Sequence, residues 1–409
     1  MTIGLGINRP QGAGGSLLLF TKPEGFNWNY ESEFSIKQRG RKYYTDFNGS
    51  AFKNPSGATY YVDPMASGAN DGSSWGDAFT TIESALTASN AARIYLAPGY
   101  YDWNACGWLN GMPTFNRDCT IICEGGKAIL HTSQDAAFSW SAEGTANVYQ
   151  TIYNAFYEVI DRTNVNARGV PIPLDKVASI AEVSANPGSY YYHSGSATLY
   201  VHTHDSRAPD SYIMAFRQKN NMDIRAAHNI YFENIEFWGG TYPIVFNNVD
   251  GNGKHILCNN CAAHYGPFGG FLFRDISRVS LINWHAEYNE LDGAAYRQNI
   301  HATQTDILEV NGRSFNNGIY NHNNAYNDIV NGSSAHDGCR IIRLNGTYSQ
   351  NDGSQIGDTH SGTQSLNLGT NAGESYAATQ EAPIQAIAAL ILRRCGWKTQ
   401  ARPAHTLTV

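Results

Sequence analysis

The sequence predicts an all-β solenoid, and three observations point there. Six segments share one pattern: an alternating apolar run, a polar or Asn-rich bend, and a closing glycine at 240, 266, 293, 318, 338 or 353. The intervals between those glycines are 26, 27, 25, 20 and 15 residues, the first four close to one coil of a parallel solenoid and the last too short for one. Each unit, such as IYFENIEFWGG or IIRLNGTYSQNDG, is too small to bury a core alone, so neighbours must stack. Composition agrees, since 40 glycines, 25 tyrosines and only 15% charged residues describe a turn-rich, ordered chain.

Inside the units, Ile230, Phe232, Ile235 and Phe237, or Ile307, Leu308 and Val310, suit strands with one buried face. Asn311-Gly312, Asn331-Gly332 and Asn345-Gly346 supply the left-handed bends. The same dipeptides also suit hairpins of an antiparallel sheet, and that alternative stays open at this level. The leucines are too sparse for a leucine-rich repeat.

Taken in order, residues 1–57 hold a Gly-rich start and a polar, aromatic stretch without the solenoid pattern, read as an attachment or adaptor segment. Residues 58–144 read as strand, Gly/Asn/Asp loop, short amphipathic helix and strand. Ser73 or Ser74 is placed to cap that helix, and Phe79, Ile82 and Leu86 share one of its faces. Residues 145–222 interrupt the repeats, 223–360 carry them, and 361–409 form a tail. Within the tail, Pro383 to Leu392 predicts a short helix closed by Arg393 and Arg394.

A resemblance emerges at the first strand and helix. Tyr60-Tyr61-Val62-Asp63, Gly68-Ala69-Asn70-Asp71-Gly72, Ser74-Trp75-Gly76 and Ile94-Tyr95-Leu96-Ala97-Pro98-Gly99 resemble the start of right-handed parallel β-helix proteins of the pectate-lyase-like type. A short helix caps the open solenoid end in that family, which shields strand edges and core. The Pro187 to Tyr192 and Ala197 to Val201 stretches resemble the small β insertion of carbohydrate-active members. The resemblance implies a right-handed parallel β-helix with an N-terminal capping helix and a small β insertion, to which the tail sequence adds a C-terminal helix.

Several function classes are disfavoured. A net charge of −7 without a basic run argues against nucleic acid, and no stretch approaches the ~20 apolar residues of a membrane span. The first residues lack a basic region and carry a short apolar run, so no secretory leader is expected. Seven cysteines offer one close pair, Cys258 and Cys261, and no zinc-ribbon spacing. No calcium-loop spacing is evident either, and no cofactor or metal is expected.

Chemistry must come from ladders of side chains on stacked coils. Aligning the repeats on their glycines places Asp292, Asn317, Asp337 and Asp352 in one column, with Glu287, Glu290, His336 and His360 near it. Carboxylates ~5–5.5 Å apart suit retaining and ~6.5–9.5 Å inverting glycoside hydrolysis. The candidate catalytic set is therefore Asp337, Asp352, Asp292, Glu290 and His336, although Asp-Gly is also an ordinary turn. A lyase would need a base beside cations, for which Arg297, Arg313, Arg340 and Arg343 are available. Trp238, Trp284, Tyr288 and Tyr296, with Arg340 and Arg343, form the candidate substrate-binding set, since flat rings stack on sugars.

The resemblance, with the missing leader, implies a phage or prophage tailspike. Such a homotrimer would attach to other virion proteins through its N-terminal segment and bind a bacterial surface polysaccharide, with its cleavage left open at this level. A soluble polysaccharide lyase or hydrolase, and a non-catalytic spike or adhesin, are the alternatives.

Overall fold

Each repeat folds into three short strands separated by corners. In the computed structural model the described residues are 16–107, 115, 117–133, 138–153, 156–217, 222–225, 228–247, 254–298, 304–320, 330–373 and 393–394. One coil runs through strands His255–Asn259, Ala262–His264 and Phe271–Arg274, and the next through Arg278–Ile282, His285–Glu287 and Ala294–Arg297. Successive coils pair parallel and in register, giving ten-, eight- and six-stranded sheets among the described residues.

The first corner is fixed by asparagine. Asn234, Asn260, Asn283, Asn311 and Asn345 all adopt left-handed φ of 52° to 59°, a region asparagine tolerates better than most residues. Their amides also bond along the axis, Asn260 Nδ2 to Asn234 Oδ1 at 2.7 Å and Asn311 Nδ2 to Asn283 Oδ1 at 2.9 Å. Inward-facing Ile230, Phe232, Phe237, Phe246, Phe273, Leu281 and Trp284 form one continuous core.

The helix Ile82–Thr87 plugs the N-terminal end, with Ile82 and Ala85 fully buried and Phe79 and Leu86 packed on the core. Its cap is Thr81, whose side chain accepts from Ser84 N; Ser74 instead bonds Asp77. The insertion between the strands Ala128–His131 and Asp223–Arg225 carries a five-stranded and a three-stranded sheet and the helix Ile180–Ala185. It docks by Tyr157, Ile160, Val170, Met214 and Phe216 against Trp238, Tyr265 and Tyr288. A Cβ at Gly239 would fall 2.5 Å from the Phe216 ring, so contact this close needs glycine there.

The segment expected to serve attachment lies, over residues 16–57, along the outside of the ten-stranded sheet. Phe26, Trp28, Tyr30, Phe34 and Ile36 cover Leu308, Ile342, Leu344, Leu366 and Leu368. Gln364 bonds both Gly25 O and Asn27 N, while Lys53 pairs with Glu233 at 2.6 Å, so this strap spans many coils.

Two readings of the repeat need correction. Gly338 follows the strand Ser333–Ala335 and precedes Arg340–Leu344, so it turns a different corner from Gly293, Gly318 and Gly353. The short last interval is thus a change of corner, and the ladder continues through Gln364–Leu368 to Asn371–Ala372. The helix expected at 383–392 lies outside the described residues, as does Cys395. Arg393–Arg394 pairs antiparallel with Gln364 and Ser365. The six other cysteines are buried and free.

Candidate active site on the six-stranded face

Register decides what each wall presents. On the outer face of the six-stranded sheet, Arg225, Asn247, Arg274 and Arg297 occupy one column. His336 and Thr359 extend it, since His336 N bonds Tyr296 O at 3.0 Å and Thr359 N bonds Ala335 O at 2.9 Å. At about 4.8 Å per coil the column is ~24 Å long. Beside it, Val245, Leu272 and Ala295 form a small buried apolar cluster against which Tyr242 packs.

The column is cationic and poorly neutralised. Arg225 pairs with Asp223 at 3.5 Å, but Arg274 and Arg297 form no ion pair among the described residues. Arg274 lies over the Tyr242 ring, and its Nε is buried without a hydrogen bond. Like charges at neighbouring register positions oppose folding, whereas an unneutralised row of guanidinium groups attracts an anionic chain.

An imidazole–carboxylate pair stands at the end of this row. His360 Nδ1 lies 2.5 Å from Asp337 Oδ1, and His360 is well exposed. Both residues hold left-handed φ, 71° and 58°, conformations costly for residues other than glycine and often kept at functional sites. The His336 ring lies 5.4 Å from that of His360 and bonds Thr359 Oγ1 at 2.7 Å through Nδ1. Burial, then Arg297 and His360, press the His336 pKa down to about 4, leaving a neutral ring. This arrangement offers an oriented base beside cations.

Of the candidate catalytic residues, Asp337 and His336 therefore meet, joined by His360. The others stand elsewhere. Asp292 is buried, takes Asn331 N at 2.6 Å and Ser334 Oγ at 2.5 Å, and is held above the usual carboxylate range by burial. It braces the next coil. Glu290 is buried, and its charge adds to the burial that raises the Glu158 pKa. Asp352 is exposed at the corner of Gly353, separated from Asp337. Asn317 belongs to a buried amide stack with Asn289 and Asn351, at 2.9 and 2.7 Å. One column of carboxylates does not form.

The substrate-binding candidates also scatter. Trp284, Tyr296 and Arg343 are fully buried inside the coil, beyond reach of a surface ligand. Arg343 binds Asp358 through both terminal nitrogens at 2.9 and 2.8 Å and Ser333 Oγ at 3.0 Å, while Tyr296 donates to Glu309. Arg340 pairs with Asp306 and reaches Asn27 O of the strap. Tyr288 stacks on Tyr265 beneath the insertion, and Trp238 lies on the outer face of the eight-stranded sheet. Arg274 and Arg225 escaped sequence reasoning because only pairing aligns them with Arg297.

No family model matches the chain, and no curated protein matches it. Among solved structures it is similar to XylC in complex with xylose, with a TM-score of 0.50 and 11% identity, covering 78% of this chain and 63% of that one. Pectate lyase Pel9A gives a TM-score of 0.37 at 15% identity, covering 73% of this chain and 65% of that one. A glycoside hydrolase gives 0.33 at 9% identity, covering 78% and 96%. This chain thus spans less than two thirds of the XylC and Pel9A chains. The three parallel sheets, with the XylC likeness, make the fold a right-handed parallel β-helix.

Proposed function

We propose that this protein binds an acidic polysaccharide of a bacterial surface along the six-stranded face and cleaves it by β-elimination. The observation that carries the reading is the Arg225, Arg274 and Arg297 row ending at the His360–Asp337 pair. A uronate carboxylate against Arg297 has its charge offset, which acidifies the adjacent C5–H. His360 Nε2 takes that proton, the C5 electrons form the C4=C5 double bond, and the C4–O bond breaks. The leaving oxygen recovers a proton from the His360 imidazolium or water. Asp337 keeps Nδ1 as the donor so that Nε2 is the basic atom.

Elimination is preferred over hydrolysis because, among the described residues, the His360 end of the row gathers the single carboxylate of Asp337 with imidazoles and the Arg297 guanidinium, where hydrolysis requires two carboxyl groups flanking the bond. A tailspike setting, with a trimer held by virion proteins, belongs to the same proposal, and native mass tests the trimer. Cleavage is tested by incubating acidic capsular polysaccharides with wild type and His360→Gln. Ultraviolet-absorbing unsaturated ends should form with wild type and fall about 100-fold or more in the variant, with binding retained. Reducing ends without that absorbance, or undiminished cleavage by His360→Gln, would overturn the reading.

A further inference from the structure

A second cluster of polar side chains lies on a different wall. The outer face of the eight-stranded sheet carries two columns in register, Glu236, Ala262, His285 and Arg313, and beside them Trp238, His264, Glu287 and Phe315. The insertion roofs part of it with Arg168, Gly169 and Val170, leaving a pocket that Lys127 also lines.

The groups there divide into anchors and free ends. Glu287 is fully buried and accepts from Arg168 Nε at 3.0 Å, Asn166 Nδ2 at 2.8 Å and Asn316 Nδ2 at 2.7 Å, with a further contact to Arg168 Nη2. His285 Nε2 lies 3.0 Å from it. Burial opposes its charge, but His285 and Arg168 prevail and hold its pKa at about 2. Glu287 is therefore the tie that fastens the insertion to the sheet. Arg168 also lies over the Phe315 ring, at 4.4 Å from its centroid.

Glu236 is the accessible carboxylate, oriented by Trp238 Nε1 at 2.9 Å and Lys127 Nζ at 2.5 Å. Burial opposes its charge, but the hydrogen-bonded Lys127 ammonium and the Trp238 N–H favour it, and its pKa lies below the usual range. His264 points Nδ1 at Glu287 O, 3.2 Å away, and its Nε2 has no hydrogen bond among the described residues. Burial and then His285 hold its pKa at about 4, so Nε2 is an acceptor. Arg313 is exposed, lines the pocket and forms no ion pair among the described residues. With Glu236 and Glu287 both shifted toward the ionised form, the described residues of this wall include no carboxylic acid to protonate a leaving group.

We propose that this pocket binds a single carboxylate-bearing sugar unit. Arg313 takes the carboxylate in a two-pronged pair, Glu236 and His264 Nε2 accept from ring hydroxyls, and Lys127 donates to one. Because the pocket lies on a separate wall, it stands whether or not the six-stranded face cleaves polymer.

The test is calorimetric titration of the full chain with glucuronate, with glucose as the neutral counterpart. Glucuronate should bind at least about tenfold more tightly than glucose, and Arg313→Gln should remove that preference at an unchanged thermal midpoint. Glu236→Gln should weaken both sugars. An oligouronide binding more tightly than the monomer identifies a chain end, and equal binding identifies the free sugar; either supports the pocket. Equal affinity for glucuronate and glucose, no binding of either, or loss of binding in Arg297→Gln but not in Arg313→Gln overturns it.

Discussion

The ten-stranded and six-stranded walls are built by the same repeat yet present opposite surfaces. On the first, the outer column Leu308, Ile342 and Leu366 is apolar and sealed by the strap. On the second, the outer column is Arg225, Asn247, Arg274 and Arg297, with two of its three arginines unpaired among the described residues. Backbone pairing is equivalent in both. The coil therefore sets geometry alone, and the outward residue of each strand decides whether a wall is apolar and covered or charged.

The largest effect should come from opening the sealed wall. Ile342→Ala removes a fully buried side chain between strap and sheet, and should cost about 2–5 kcal/mol in denaturant unfolding. Trypsin should then cut faster at Lys37 to Lys42, in the strap's hairpin. Unchanged cleavage would mean that the strap is held elsewhere, and would erase the contrast.

The open wall should respond in the reverse sense. Arg297→Gln should weaken binding of an acidic polysaccharide by about 10-fold or more and flatten its salt dependence, while stability holds or rises as like-charge repulsion with Arg274 is relieved. A clear loss of stability would show Arg297 to be structural.

Acid sharpens the comparison further. His255 sits under the strap, 4.5 Å from the Phe52 ring, with burial and then Arg278 holding its pKa at about 3; His336, on the open wall, is at about 4. Both values lie below the 6.5 of the unfolded chain, so the unfolded state binds more protons in between. Their contribution is complete above pH 6.5 and lost as pH falls toward 4 at the open wall and toward 3 at the sealed one. Asp306, raised by burial, works in the opposite direction. His255→Gln should flatten the fall of thermal midpoint between pH 6.5 and pH 4, an effect on the order of 1–3 kcal/mol. A slope unchanged from wild type would remove His255 from the account.

How far the sequence could be read follows from what local chemistry encodes. Alternation and Asn bends specify a coil without reference to distant residues, so Asn311 and Asn345 were legible as corners. Which corner a glycine turns is not local: Gly338 follows a polar bend much like the others, and only its flanking strands identify it. That one slip put Asp337 into a column with Asp292 and Asp352. The direction a side chain faces was equally hidden at Arg343, which is polar in sequence but lies inside the coil because Glu309, Asp358 and Ser333 satisfy it there. Charge alone suggests the surface, whereas a buried arginine needs partners that only the fold brings together.

The strap has a consequence for how the chain reaches this state. A stack of coils touching only its neighbours can form and fray piecemeal from either end. Here Gly25 and Asn27 meet Gln364, 339 and 337 residues away in sequence, which makes the early and late coils parts of one cooperative unit. Contacts of such separation form slowly. During synthesis Leu366 and Leu368 emerge long after their aromatic cover, so through that interval Trp28, Tyr30 and Phe34 must wait unmatched, exposed to aggregation.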